Sequence, residues 1–150
     1  GLSSPAIITA LYEASQAGVK VDLIVRGICS ICPGIEGLSE NITVRSVVGR
    51  FLEHARVFYF ENGDDESELF LSSADLMPRN LRNRIEQCTP IKDIHIKQRI
   101  RTNLDLYLND NTDAWTMLSD GEYLKTINES ESLPDFNVQQ ALLDQYSDEF

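Results

Sequence analysis

His54, Arg56 and Glu61 stand in the pattern His-x-Arg-x-x-x-x-Glu within VGRFLEHARVFYFENG, and Ser72, Ser73 and Asp75 follow in LSSADLMPRNLRNRIE. These side chains suit phosphorus chemistry. An imidazole attacks phosphorus or exchanges a proton with an oxygen near neutral pH. A guanidinium fork matches non-bridging phosphate oxygens two at a time and stays charged. A carboxylate such as Glu61 can accept the second imidazole N–H and fix its tautomer, and the Ser73 hydroxyl adds a donor. Phosphoryl transfer is driven by positioning and charge stabilisation, so a histidine among arginines is a suitable tool. Singly, each residue has a plainer role: a surface histidine, a solvated strand arginine, a Glu-Asn-Gly turn.

The elements that must hold these groups are readable from spacing. Val57–Phe60 is dense in β-branched and aromatic residues and predicts a strand, with Leu69–Leu71 returning beside it. Period-two alternation puts His54 and Arg56 on one face as the chain runs into that strand. Glu61 lies seven residues from His54 at the strand's far end, and spacing gives it no route back. Asn62-Gly63-Asp64-Asp65 predicts the turn between the two strands, and Arg50–Glu53 reads as a short helical turn ahead of His54.

Upstream, Ser4-Pro5 signals a helix start, with a capping hydroxyl and proline at the first position, and Gly18 suits its stop. VKVDLIV over 19–25 predicts a buried strand ending at Arg26, and Ile42–Val48 predicts another. Downstream, a short helix is expected over Leu76–Arg82 and a strand near Ile85–Cys88. Asp93 caps a long amphipathic helix, and Trp115–Leu118 and Tyr123–Thr126 flank the hairpin signal Asp120-Gly121. A last helix is expected over Val138–Tyr146. The fold class expected is α/β, a mixed β-sheet flanked by helices with a carboxy-terminal β-hairpin.

The chain's 150 residues carry a net charge of −11. Residues 1–107 hold 14 acidic and 12 basic side chains, a net of −2, whereas residues 108–150 hold 10 and one, a net of −9. The acidity belongs to the tail, so a nucleic-acid partner is not expected, while a local arginine pocket in the nearly neutral body is. Three cysteines do not make a secreted disulfide framework, and a cytoplasmic location is expected, with membrane association an allowed variant. Cys29-Ser-Ile-Cys32 reads as loop thiols, because a structural zinc needs four ligands and only Cys88 and distant histidines remain. His95 is expected to be exposed. The segment 128–135, NESESLPD, reads as a solvated linker.

The histidine pattern with its Ser-Ser-x-Asp resembles the phospholipase D superfamily signature His-x-Lys-x-x-x-x-Asp with a downstream Gly-Ser-x-Asn. It departs from it by arginine at 56, glutamate at 61 and no glycine before Ser73. More specifically, GVKVDLIVRGICSICPGIEGLSENITVRSVVGRFLEHARVFYFENG followed by LSSADLMPRN is similar to the carboxy-terminal region of bacterial polyphosphate kinases. The similarity runs over most of residues 5–126, including AWTMLSDGEYLKT.

That resemblance implies a single carboxy-terminal, phospholipase-D-like domain over 1–150 of a larger kinase, with 127–150 as an acidic tail of linker plus helix. Such kinases carry two halves in tandem, and the histidine that becomes phosphorylated lies in the preceding one. His54 matches the second-half histidine, which sits among ATP phosphates as the acid/base partner. Arg26 and Arg84 match phosphate-binding arginines, and Arg56 would join them, with Glu61 and Ser73 orienting. ATP or ADP and polyphosphate are the implied ligands, the upstream domains the implied partner, and a homo-oligomer the implied full-length state. The magnesium-associated positions also lie upstream, so no metal ligand is expected here. On this reading the chain alone does not synthesise polyphosphate. Two other functions fit the motif: a dimeric phospholipase-D-like phosphodiesterase, and a non-catalytic phosphate-binding or assembly module.

Overall fold

A computed structural model describes residues 1–63, 67–126 and 134–147. Helix α1 (Pro5–Gln16) starts with proline at its first turn and stops at Gly18, whose φ of +87° places it in the left-handed region that glycine adopts without strain. Ser4 stands at the N-cap with extended backbone, yet its side chain makes no capping bond. Strands β1 (Val21–Ile24) and β2 (Ile42–Val47) follow, then β3 (Val57–Phe60), β4 (Glu68–Ser72), helix α2 (Pro78–Asn83) and β5 (Cys88–Pro90). Helix α3 (Ile94–Asn109) is capped by the Asp93 carboxylate, which accepts from the His95 and Ile96 amides. Strands β6 (Ala114–Met117) and β7 (Tyr123–Lys125) and helix α4 (Val138–Ser147) complete the chain.

Among the described residues, seven strands form two sheets rather than one. The first has the order β1-β2-β6-β7, with β1 and β2 parallel and the other pairs antiparallel. The second is the antiparallel set β3-β4-β5. Alternation along β2 serves both faces of the first sheet. Ile42 and Val44 point into a core closed by Leu2, Ile31 and Met117 and covered by Ile7, Ile8 and Leu11 of α1. Val47 points the other way, into a second core with Ala114 and Val138, covered by Leu106 and Tyr107 of α3 and Leu142 of α4. Arg45, on that same face, donates to the carbonyls of Tyr107 (3.4 Å) and Asp110 (2.9 Å), satisfying groups left over at the end of α3.

Leu2 joins the two sheets, bridging in parallel to Cys29 after β1 and to Leu76 after β4, and is itself buried. The expected turn at Asp64-Asp65 and most of the acidic linker, 128–133, lie outside the described residues. Among the described residues, no helix is long and apolar enough to cross a membrane.

Candidate active site

The parallel pair β1 and β2 sends its carboxyl ends to one edge, where ligands of open α/β sheets commonly bind. Arg26 leaves β1 there, and the chain leaving β2 turns through Val48–Glu53 to line a cleft of about 280 Å³ with it. Arg50–Glu53 is not the helical turn its sequence predicts. The Phe51 amide and carbonyl are both taken by the Gln139 side chain, at 2.8 Å each, and the Glu53 carbonyl accepts from Arg26 Nη1 at 2.8 Å. The backbone groups a helix would pair are satisfied elsewhere, so the segment stays open.

His54 comes next and is exposed. Its carbonyl accepts from Arg56 Nη1 at 2.8 Å, and the same nitrogen lies 3.3 and 3.4 Å from the two imidazole nitrogens. Two guanidinium groups therefore hold successive carbonyls, Arg26 that of Glu53 and Arg56 that of His54. Arg56 turns its other face to Asp75, with Nε and Nη2 each 3.2 Å from a different carboxylate oxygen. That fork lowers the pKa of the Asp75 carboxyl below its ordinary value, because the guanidinium bonds to the charged form. The Ser72 amide extends the β3–β4 ladder to the Arg56 carbonyl, which brings the end of β4 to the start of β3.

Ser73 does not face the imidazole. Its hydroxyl donates to Glu86 at 2.5 Å and accepts from the Gln87 amide at 3.0 Å. The buried Asn80 donates to the other Glu86 oxygen at 2.9 Å, and these bonds, Ser73's first, lower the Glu86 pKa, with smaller help from the charges of Arg84 and Arg56. Arg84 is exposed at the end of α2 and bears on the site through that charge interaction. Glu61 is exposed beyond the far end of β3, on the order of 20 Å of extended chain from His54. The structure thus brings together His54, Arg56 and Asp75, with Arg26 one residue behind at Glu53; it sets Ser73 and Arg84 beside them around Glu86 and leaves Glu61 apart.

Two residues that sequence spacing passes over shape this site. Tyr107 donates to Glu53 Oε2 at 2.7 Å, and burial first, then that carboxylate, push its hydroxyl well above the usual range. Gln139 is the other. Neither carries a motif. Cys29, Cys32 and Cys88 are free thiols, and burial raises the Cys29 pKa, which makes it a weak nucleophile at neutral pH. Among the described residues no group of three or more His, Cys, Asp or Glu side chains is placed to hold a metal ion.

The chain matches the family described as polyphosphate kinase C-terminal domain 2 over residues 1–139. The chain belongs to that family. It is 56% identical over 122 residues to a polyphosphate kinase of Pseudomonas aeruginosa, covering 81% of this chain and 18% of that protein. A polyphosphate kinase of Burkholderia ambifaria is 59% identical over 123 residues, again 81% of this chain and 18% of the other. The similarity to a Pseudomonas putida polyphosphate kinase runs further, 50% over 146 residues, or 97% of this chain and 20% of that protein. A crystal structure of polyphosphate kinase from Porphyromonas gingivalis superposes with a TM-score of 0.93 at 39% identity, covering 99% of this chain and 22% of that one. The chain spans about a fifth of the length of the curated polyphosphate kinases it matches.

Proposed function

We propose that this carboxy-terminal domain is one half-site of an ATP:polyphosphate phosphotransferase. The γ-phosphoryl group of ATP passes to a histidine of a preceding phospholipase-D-like half, with release of ADP, and from there to a terminal oxygen of polyphosphate. His54 serves as the acid/base partner at the attacking or leaving oxygen, and Arg26, Arg56 and Arg84 hold phosphates. The upstream domains of the same protein supply the nucleophile and any magnesium ligands, and the full-length enzyme is a homo-oligomer of the cytoplasm.

The observation that carries this reading is the pair of guanidinium groups on the successive carbonyls of Glu53 and His54. It anchors two guanidinium groups on the backbone that carries one exposed imidazole, at the carboxyl edge of a parallel strand pair, and a guanidinium is suited to polyanionic phosphate. A dimeric phosphodiesterase reading finds no comparable support, since residue 56 is arginine where that signature has lysine.

The test is His54→Ala and His54→Gln in the full-length enzyme. ATP-dependent polyphosphate synthesis should fall by about 10²–10⁴-fold, the usual worth of a positioned acid/base group. Thermal stability should not change, because His54 is exposed. Synthesis at the wild-type rate in both variants would sink the reading.

A further inference from the structure

We infer that Gln139, in the first turn of α4, is a positioning residue for phosphoryl transfer, setting through Phe51–Glu53 where His54 stands relative to Arg26. The inference rests on the half-site reading above and adds a part of the chain to which that reading gives no role.

The side chain of Gln139 is 6% exposed and makes three hydrogen bonds to the segment that carries His54. Its Oε1 accepts from the Phe51 amide (2.8 Å), and its Nε2 donates to the Phe51 carbonyl (2.8 Å) and to Glu53 Oε1 (2.7 Å). An amide is the side chain type that can accept from the N–H and donate to the C=O of one residue at once, as a neighbouring strand would. Glu53 passes the constraint on: its other carboxylate oxygen takes the Tyr107 hydroxyl and its carbonyl takes Arg26. The next residue is His54.

The amide sits on a firm mount. The Val138 amide donates to the buried Asp110 Oδ2 at 2.8 Å. Asn137 caps α4 by accepting from the Gln140 amide and donates to Asp113 Oδ2 at 2.7 Å. Across the contact, Gly49 is shaped by the same amide. A Cβ there would stand 2.6 Å from Gln139 Oε1 and 2.7 Å from Asp113 Oδ2, and Gly49 is not among the positive-φ glycines, so closeness alone requires it. A shift of Phe51–Glu53 would move the imidazole and the Arg26 anchor together, and a misplacement near 1 Å costs on the order of a hundred-fold in rate.

The experiment uses the full-length enzyme. Gln139→Glu keeps the shape and the acceptor but sets a carboxylate against Glu53 and the Phe51 carbonyl. Gly49→Ala presses on the same amide from the other side and decides the matter if the first variant does not fold. Adding Glu53→Gln to Gln139→Glu restores a donor and an acceptor with the partners exchanged. The expected result for each single variant is a kcat for ATP-dependent polyphosphate synthesis, per folded enzyme, lower by roughly ten- to a hundred-fold with the ATP KM changed less than about three-fold, and a partial recovery of kcat in the double variant. A merely structural role would lower the melting temperature while leaving kcat per folded enzyme at the wild-type value, and that result overturns the inference. His54→Ala, run alongside, separates the two ideas. If it keeps full activity the half-site reading fails; if it is inactive while Gln139→Glu and Gly49→Ala turn over normally, only the positioning inference fails.

Discussion

Arg56 and Asp75 meet as a two-pronged pair, Nε and Nη2 of the guanidinium each 3.2 Å from a separate carboxylate oxygen, with both side chains mostly shielded from water. The contact joins the start of β3 to the loop beyond β4 and leaves Nη1 of Arg56 to the carbonyl and ring of His54. Its partners are 19 residues apart, so it is a tertiary tie that holds the His54 backbone in place.

The Asp75 carboxyl is lowered from its ordinary value, first of all by Arg56. A carboxylate depressed in the folded state adds stability that is fully present above the unfolded pKa, near 4, and is lost as pH falls from there through the lower folded value. Urea unfolding at a series of pH values should show stability declining through that window. Asp75→Asn should flatten part of the decline and lower stability at pH 7 by about 1 kcal/mol.

Arg56→Lys tests shape against charge. An ammonium is one point charge and cannot grip both Asp75 oxygens while also reaching the His54 carbonyl. The variant should lose about 1 kcal/mol of stability by chemical denaturation. Polyphosphate synthesis by the full-length enzyme should fall roughly ten-fold or more, since the histidine is then less well placed. A fully active lysine variant would mean that charge alone suffices at position 56.

Asp110 is 1% exposed and accepts four backbone amides, those of Thr112, Asp113 and Ala114 on Oδ1 and that of Val138 on Oδ2. It fixes the end of α3, the start of β6 and the start of α4 at one point. Asp110→Ala strands those donors, at least two of them buried, and should destabilise by about 3 kcal/mol or more. Loss of the α4 mount should also show as faster amide exchange at Val138.

Tyr107 supplies a pH signature at the opposite end of the scale. Its folded pKa is raised, by burial first and by Glu53 second, so the stability it contributes is complete below the unfolded value near 10 and is lost as pH climbs above it. The absorbance titration of wild type minus Tyr107→Phe should show an ionisation only above the ordinary tyrosine range. The phenylalanine variant leaves Glu53 Oε2 without its donor and should lose about 1 kcal/mol near neutral pH.

Much of this arrangement is legible in the sequence. The run Val57–Phe60 forms a strand over the residues its composition marks, Asp93 caps α3, and β6 and β7 pair around Asp120-Gly121. Each is a local signal, set by propensity or turn chemistry. The company of His54 and Arg56 was local too, being a matter of alternate residues. What could not be read was long-range. The split into two sheets depends on which strands pair, and Glu53, Tyr107 and Gln139 converge from positions up to 86 residues apart. A glutamine in an acidic tail carries no periodic or charge pattern to betray a partner, and the open form of Arg50–Glu53 follows from that unseen partner. Glu61 shows the converse: its place in the motif is plain, while the strand between holds it away from the imidazole.

The crossing from β2 to β3 leaves one sheet and enters the other, and Arg26 and Arg56 grip it from opposite banks. A polyanion touching both guanidinium groups would clamp the two sheets to each other. By reciprocity, whatever stiffens the seam strengthens that grip, and whatever loosens it, even at the far side of Leu2, weakens it by the same free energy. Occupancy and internal rigidity are then a single thermodynamic quantity, measurable from either side.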